Sequence, residues 1–270
     1  MEGVSVLHHS SFSFSHYHIH LHGGAVQTFG LSSQNVVGYA NPALGANANL
    51  AASPFDLVGS DGMDIQQIKP ASVNIYGGAV SIKLLTDILG DDVEYFWVPA
   101  EEAPDGVTAG WYLDDFTTLA TRTFDVGQGF ILVNSVDDTS VTYSGEVSVG
   151  KPTWEIAPNA NLAGNITPID LDIQGIKVGT DIDSEGNLTD EFGDIYGGAI
   201  SIKLLTDVLG DDVEYFYVPA SEAPDGVTAG WYLDDFSTLA SRTFNPGEGF
   251  IIVSGIAAGY VQIPAALTAE

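Results

Sequence analysis

Cysteine is absent from this chain of 270 residues. Its absence excludes disulfide bridges and thiolate metal sites. Basic residues are scarce, because seven lysines and arginines stand against 36 aspartates and glutamates, and the formal net charge is −29. Such a surface repels nucleic acid and anionic membranes, attracts cations and suits a secreted protein that must stay soluble in salt. We therefore expect no nucleic acid among its partners and no membrane insertion.

Targeting and spanning segments are also missing from the sequence. No apolar run approaches the roughly 20 residues of a transmembrane helix. The N-terminal stretch lacks lysine and arginine, whereas a standard signal peptide begins with a positively charged region. Two interpretations stay open: the precursor is processed, or the native start differs from Met1.

A long internal repeat is the strongest feature that the sequence does contain. The segment from Ile75 to Val133 returns almost unchanged from Ile195 to Val253, and weaker similarity extends upstream of both. A repeat of this length indicates two whole folding units and excludes a short-repeat solenoid. The predicted divisions are a histidine-rich arm at residues 1–29, a first repeat at 30–143 and a second repeat at 144–270.

Each repeat has the composition of β-structure. The 31 glycines and 12 prolines separate short runs of β-branched and aromatic residues. In "VEYFWV", alternation puts Val93, Tyr95 and Trp97 on one face of a strand. The run "SIKLLTDILG" fits either a strand with a turn or a short helix. We predict an all-β fold of two tandem homologous antiparallel domains, sandwich-like or barrel-like, preceded by an extended N-terminal arm.

The sequence match between the repeats predicts that they share one topology, with insertions near residues 51–62 and 178–193. The tail "GIAAGYVQIPAAL", which starts at Gly255, is similar to "GEVSVGKPTWEIA", which starts at Gly145. This similarity predicts a junction strand that closes the first repeat and opens the second.

The sequence gives little support for a catalytic site. Both repeats lack histidine and cysteine, which excludes a Ser-His-Asp or Cys-His arrangement within one repeat. Adjacent carboxylates such as Asp114 and Asp115 point to opposite sides of a strand, whereas a glycosidase needs two carboxylates that face each other across a cleft. We interpret these pairs as solvated acidic turns and predict that the protein is not an enzyme. Six aromatic residues are either core or a sugar-stacking platform, and core is favoured: Trp97, Trp111, Tyr112, Tyr217, Trp231 and Tyr232.

One acidic segment of the second repeat has the spacing of a calcium loop. In "DIDSEGNLTDEFGD", Asp181, Asp183, Glu185 and the carbonyl of Asn187 could supply oxygen ligands. The twelfth position holds Phe192 instead of the bidentate glutamate of an EF-hand. The alternative is an ordinary acidic hairpin tipped by "SEGN". The sequence establishes no cofactor, and Ca²⁺ is a candidate.

All six histidines lie in the first 22 residues. In "SHYHIHLH", histidine alternates with apolar residues, and alternate side chains of a strand lie about 7 Å apart on one face. This pattern could bind zinc, copper or nickel through His16, His18, His20 and His22. The alternatives are a pairing strand whose histidines are merely polar, or a leader that is not native. The apolar residues that would make an assembly contact are Phe12, Phe14, Tyr17, Ile19 and Leu21.

Three short motifs carry a resemblance to known sequences. They are "NVVGY" (Asn35–Tyr39), "GWYLDD", and "G-x-GF" before an apolar strand. Over most of residues 31–255 the chain resembles a group of uncharacterised secreted β-repeat proteins of verrucomicrobium- and planctomycete-type bacteria. In those proteins "NVVGY" follows soon after a cleaved signal sequence. The resemblance implies an extracellular or cell-surface location and a structural role, and it supplies no catalytic residue.

These observations predict a structural subunit of an extracellular assembly, either a filament or a surface layer. An arm able to form a strand can add to the sheet of a neighbouring copy, and such head-to-tail contacts propagate as a polymer. The predicted partner is therefore the protein itself. The alternative is a secreted module that binds glycans or calcium.

Overall fold

The structure is a computed structural model of the chain. It describes residues 36–56, 62–71, 79–84, 94–106, 108–135, 139–191, 199–205, 214–224, 228–255 and 258–267. Within these ranges the protein is all-β, and antiparallel strands form several small sheets.

The first repeat builds a five-stranded sheet and a second, smaller sheet. Its strands are β1 (Val37–Ala40), β2 (Ala43–Leu44), β3 (Asn47–Ala52), β4 (Met63–Asp64), β5 (Lys69–Pro70), β6 (Val80–Lys83), β7 (Tyr95–Val98), β8 (Gly110–Tyr112), β9 (Thr123–Phe124), β10 (Gly129–Asn134) and β11 (Thr139–Glu146). The larger sheet has the order β3-β10-β6-β7-β8. In the smaller sheet β11 pairs with β1, β2 and β5. A separate two-stranded sheet pairs β4 with β9.

The second repeat has the same plan. Its strands are β12 (Thr153–Ile156), β13 (Asn159–Gly164), β14 (Leu171–Asp172), β15 (Lys177–Ile182), β16 (Leu188–Glu191), β17 (Ile200–Lys203), β18 (Glu214–Val218), β19 (Gly230–Tyr232), β20 (Thr243–Phe244), β21 (Gly249–Ser254) and β22 (Gly259–Gln262). The order β13-β21-β17-β18-β19 matches the first large sheet. β16 forms a hairpin with β15 at the insertion that the sequence predicts near residues 178–193.

Two sequence expectations are resolved at particular strands. β6 and β17 occupy the start of the ambiguous "SIKLLTDILG" run, so the strand alternative is correct there. The expectation of one shared junction strand is wrong. β11 pairs only with strands of the first repeat, and β12 opens the second repeat by pairing with β22. The predicted boundary between residues 143 and 144 lies inside β11.

Each repeat encloses its own apolar core. Trp111 is fully buried in the first core, and its indole nitrogen donates to the carbonyl of Ile68 at 2.6 Å. Trp231 is its counterpart, and it donates to the carbonyl of Ile176 at 2.8 Å. Tyr95 and Trp97 both lie in the first core, as the alternation of "VEYFWV" predicts. Buried indoles with a satisfied N–H anchor the two cores in the same way.

The repeats contact each other through reciprocal backbone approaches. A Cβ on Gly129 would lie 2.7 Å from the amide nitrogen of Ala163, and a Cβ on Gly249 would overlap the amide of Ala51. Because the two glycines occupy equivalent positions in "G-x-GF", the contact has approximate two-fold symmetry. Ala52 of the first repeat is completely buried in the core of the second.

Candidate interaction sites

The structure does not describe the N-terminal arm. Residues 1–35 lie outside the described ranges, and with them the proposed metal ligands His16, His18, His20 and His22. The proposed assembly residues are outside as well: Phe12, Phe14, Tyr17, Ile19 and Leu21. The metal and assembly hypotheses for these residues therefore stay predictions.

The strand that follows the arm lies at the edge of its sheet. β1 and β2 pair with successive parts of β11, so they form one edge strand interrupted at residues 41–42. The carbonyls of Val36 and Pro42 accept from Val147 and Val141, which places the even-numbered peptide groups against β11. Antiparallel alternation then directs the N–H and C=O groups of Val37 and Tyr39 away from β11. Val37 is 57% exposed and Tyr39 44% exposed.

The outer edge of each large sheet, in contrast, is covered from within the chain. The amide of Gln66 donates to the carbonyls of Trp111 and Ala120, both at 2.9 Å, and accepts from the N–H of Trp111 at 3.0 Å. Gln174 makes the same three bonds to Trp231 and Ala240 in the second repeat. A side-chain amide therefore covers the outer side of β8 and of β19, together with the backbone of residues 118–120 and 238–240, which also bonds to these strands.

The predicted calcium segment forms the tip of the β15–β16 hairpin. The Asp183 carboxylate accepts from the N–H groups of Glu185 and Asn187 at 2.9 and 2.8 Å. The Asn187 carbonyl, a proposed ligand, accepts from the Asp183 N–H at 2.9 Å. The hydrogen bonds from Asn187 lower the pKa of Asp183. Two of the four proposed oxygen ligands, those of Asp183 and Asn187, thus accept hydrogen bonds within the turn, as the hairpin alternative predicts.

No group of three or more histidine, cysteine or acidic side chains converges on a common point in the parts of the chain that the structure describes. Asp181 pairs with Asp190 in the β15–β16 ladder, and its carboxylate accepts from the adjacent N–H of Ile182 at 2.8 Å. Calcium binding by Asp181, Asp183, Glu185 and Asn187 stays a prediction.

The acidic pair at Asp114 and Asp115 belongs to a turn that occurs once in each repeat. Asp115 accepts from the Thr118 hydroxyl at 2.6 Å and from two backbone N–H groups. The bond from the Thr118 hydroxyl is the largest cause that lowers the pKa of Asp115 to about 2, and Asp235 is held at about 2 in the same way by Thr238. These carboxylates stabilise turns, which agrees with the acidic-turn interpretation.

The same turns expose an aromatic ring. Phe116 has a φ of 54°, an unfavourable backbone region for a bulky residue, and the residue is 38% exposed. Its ring packs on Phe96 with ring centroids 4.9 Å apart, and Leu119 in the same turn is also exposed. Phe236 repeats this geometry on Phe216. Sequence reasoning overlooked this patch, although "DDF" recurs in both repeats.

The proposed sugar-stacking residues are core residues. Trp111 and Trp231 are 0% exposed, and the other four are at most 7% exposed: Trp97, Tyr112, Tyr217 and Tyr232. A sugar ring cannot reach them in this fold. The structure thus agrees with the core interpretation and excludes a glycan platform built from these six side chains.

A cleft of about 370 Å³ lies between the repeats. Pro42, β2 and β3 form one wall, and the segment Arg242–Gly249 forms much of the other. Arg242 lies over the Phe244 ring at 5.3 Å and pairs with Glu248. Tyr143 also lines the cleft; burial raises its pKa, and its hydroxyl has no hydrogen-bond partner among the described residues. The volume is within the range of small-ligand sites.

Comparison of the chain with protein-family models, with curated proteins and with solved structures gave no match. In the ranges that the structure describes, no helix is long and apolar enough to cross a membrane. The features of the molecule that bear on function are the edge strand, the covered edges and the cleft.

Proposed function

We propose that this protein is a structural subunit of an extracellular filament or surface layer. The two repeats form tandem homologous β domains, and the arm at residues 1–29 adds as a β-strand to the next copy. The contact is head-to-tail, so it propagates instead of closing into a dimer. Strand addition supplies main-chain hydrogen bonds, while alternate side chains supply specificity.

The observation that carries this proposal is the β1 edge. β1 pairs with β11 on one side, and its outward peptide groups lie beside the exposed side chains of Val37 and Tyr39. An exposed edge with apolar side chains is a template for another strand. The outer edges of β8 and β19 are covered, and β12 and β16 also end a sheet. Among these edge strands β1 carries the exposed apolar side chains Val37 and Tyr39, which favours β1 as the acceptor.

Charge complementarity supports the arm as the added strand. Glu2 is the only acidic residue before Asp56 in a chain with 36 acidic residues, and all six histidines lie in the arm. A neutral or weakly cationic segment approaches a body of strongly negative charge without repulsion. The extracellular location is supported by the secreted β-repeat proteins that the sequence resembles and by the acidic composition.

Deletion of residues 1–24 tests the arm. The truncated chain is expected to keep its β circular dichroism spectrum and to lose assembly, because the donor strand is gone while both repeats remain. Negative-stain microscopy and sedimentation velocity measure the polymer. A truncated chain that still polymerises like the full chain contradicts the proposal.

A matched pair of substitutions tests the acceptor edge. Tyr39→Pro removes the outward N–H, whereas Tyr39→Ala removes the same ring and keeps the N–H. Proline is tolerated at a strand edge whose N–H faces solvent. Tyr39→Pro is expected to abolish assembly and Tyr39→Ala to retain it. Equal assembly by both variants would exclude main-chain pairing at β1.

The unaltered chain distinguishes the alternative function. If it stays monomeric and binds glycans or calcium, a secreted binding module is favoured over a structural subunit.

A further inference from the structure

The cleft between the repeats corresponds, through the equivalence of the two repeats, to a place where a side chain fills the space between them. Pro42 lies opposite Val141 on β11, and Trp154 lies opposite Val261 on β22, so the two residues are structurally equivalent. Gly127 and Gly247 are equivalent as well, each with a φ of 78°. The two surroundings therefore correspond, but one contains a proline where the other contains a tryptophan.

In the second repeat the indole occupies the space beside the turn. A Cβ on Gly127 would overlap the Trp154 ring, and Trp154 packs on the second core beside Val126. At the equivalent place Pro42 is too short to fill the same space, and the cleft opens in front of Gly247. Part of that space is taken by the Tyr143 ring, whose Cε2 lies 3.2 Å from the position of a Cβ on Gly247, and the cleft is the part that stays open.

We infer that this cleft receives an aromatic side chain from the N-terminal arm of a second copy. The inference rests on the proposed function and specifies its contact. The arm provides four aromatic side chains, Phe12, Phe14, Tyr17 and Phe29, and the first three belong to the residues predicted to make the assembly contact. Because Pro42 and Leu44 belong to the same interrupted edge strand as β1, an arm strand added along β1 passes the mouth of the cleft.

The lining suits an aromatic ring. The walls are mostly apolar, with Leu44, Leu50 and Val141 among them, and Arg242 supplies a guanidinium group. A ring in this position gains apolar burial together with attraction between its face and the cation. The ring thereby fixes the register of the added strand, which main-chain hydrogen bonds alone do not specify.

Closing the cleft from within tests the inference. Pro42→Trp copies the residue of the second repeat into the first, and it is expected to fill the cleft and reduce assembly to the level of the chain that lacks residues 1–24. The control Pro158→Trp makes the same exchange at an exposed position of the second repeat. This control is expected to assemble like the unaltered chain, and circular dichroism verifies folding of both variants.

A photo-crosslink identifies the occupant. The full chain carries p-benzoylphenylalanine at Leu50, and mass spectrometry locates the crosslinked peptide in assembled samples. A crosslink in a band of dimer mass to the peptide that contains Phe12, Phe14 and Tyr17 supports the inference. A crosslink to the arm of the same chain, to another segment or to none overturns it.

The two proposals fail separately. If removal of residues 1–24 and Tyr39→Pro both abolish assembly while Pro42→Trp leaves it intact, strand addition stands and the cleft contact is wrong. If the chain without residues 1–24 assembles normally, the proposed function itself fails, whatever Pro42→Trp does.

Discussion

At the scale of single residues, glycine determines how closely the repeats approach. In "G-x-GF" the first glycine has a positive φ, and the second lies directly against the backbone of the other repeat. At Gly249 the neighbouring atoms belong to the main chain of Leu50 and Ala51, which cannot rotate away. The motif therefore has a packing reason for each of its glycines, independent of the strand that follows.

Gly249→Ala is expected to lower the free energy of unfolding by about 1–3 kcal/mol, because the new methyl group forces the two backbones apart. Gly45→Ala is the control, since its Cβ would meet only a side-chain oxygen, that of Asn49 at 3.2 Å, and no backbone of the other repeat. Urea denaturation measures both variants. A Gly249→Ala protein as stable as the control would show that the repeats do not pack as closely as described.

At the scale of the strand, some sheet edges are covered by a side chain and others are not. β8 and β19 are short, and Gln66 and Gln174 cover their outer sides with amide hydrogen bonds. Covering an edge in this way prevents unwanted pairing. β1 has no such cover in the described part of the chain, which is consistent with a strand that accepts a partner.

Gln66→Ala is expected to destabilise the first repeat by about 1–3 kcal/mol, because the N–H of Trp111 and the carbonyl of Ala120 lose the Gln66 amide as their partner. Gln67→Ala is the matched control, since the amide oxygen of Gln67 has no hydrogen-bond partner in the described residues. Thermal unfolding compares the two. We also expect aggregation of Gln66→Ala on heating, which light scattering detects; equal stability of both variants would contradict the role of Gln66.

At the scale of the whole molecule, net charge opposes the association that we propose. A polymer of chains that each carry a net charge of −29 accumulates repulsion. At about 0.15 M salt the screening length is about 8 Å, so groups at a close contact still repel each other. The arm is the least acidic part of the sequence and can meet the body, but body-to-body contacts need counterions.

We therefore expect assembly to depend on cations, and most on divalent ions that bridge carboxylates. Dialysis of assembled protein against a chelator at low salt is expected to release subunits, and magnesium or calcium is expected to restore the polymer. Sedimentation measures the polymer mass. An unchanged mass after dialysis would show that repulsion does not limit assembly.

The sequence by itself determined the all-β fold and the common strand order of the large sheets, because alternation and turn chemistry act locally and two nearly identical segments form the same sheet. It also indicated that Trp97 and Trp111 belong to a core. It did not determine the β1 edge, the Gln66 cover or the division of the junction between β11 and β12. These features depend on contacts between residues far apart in the chain. Only the tertiary structure shows the cleft. The sequence has Pro42 in the first repeat where the second has Trp154, and this difference leaves an open space only when the two repeats pack against each other.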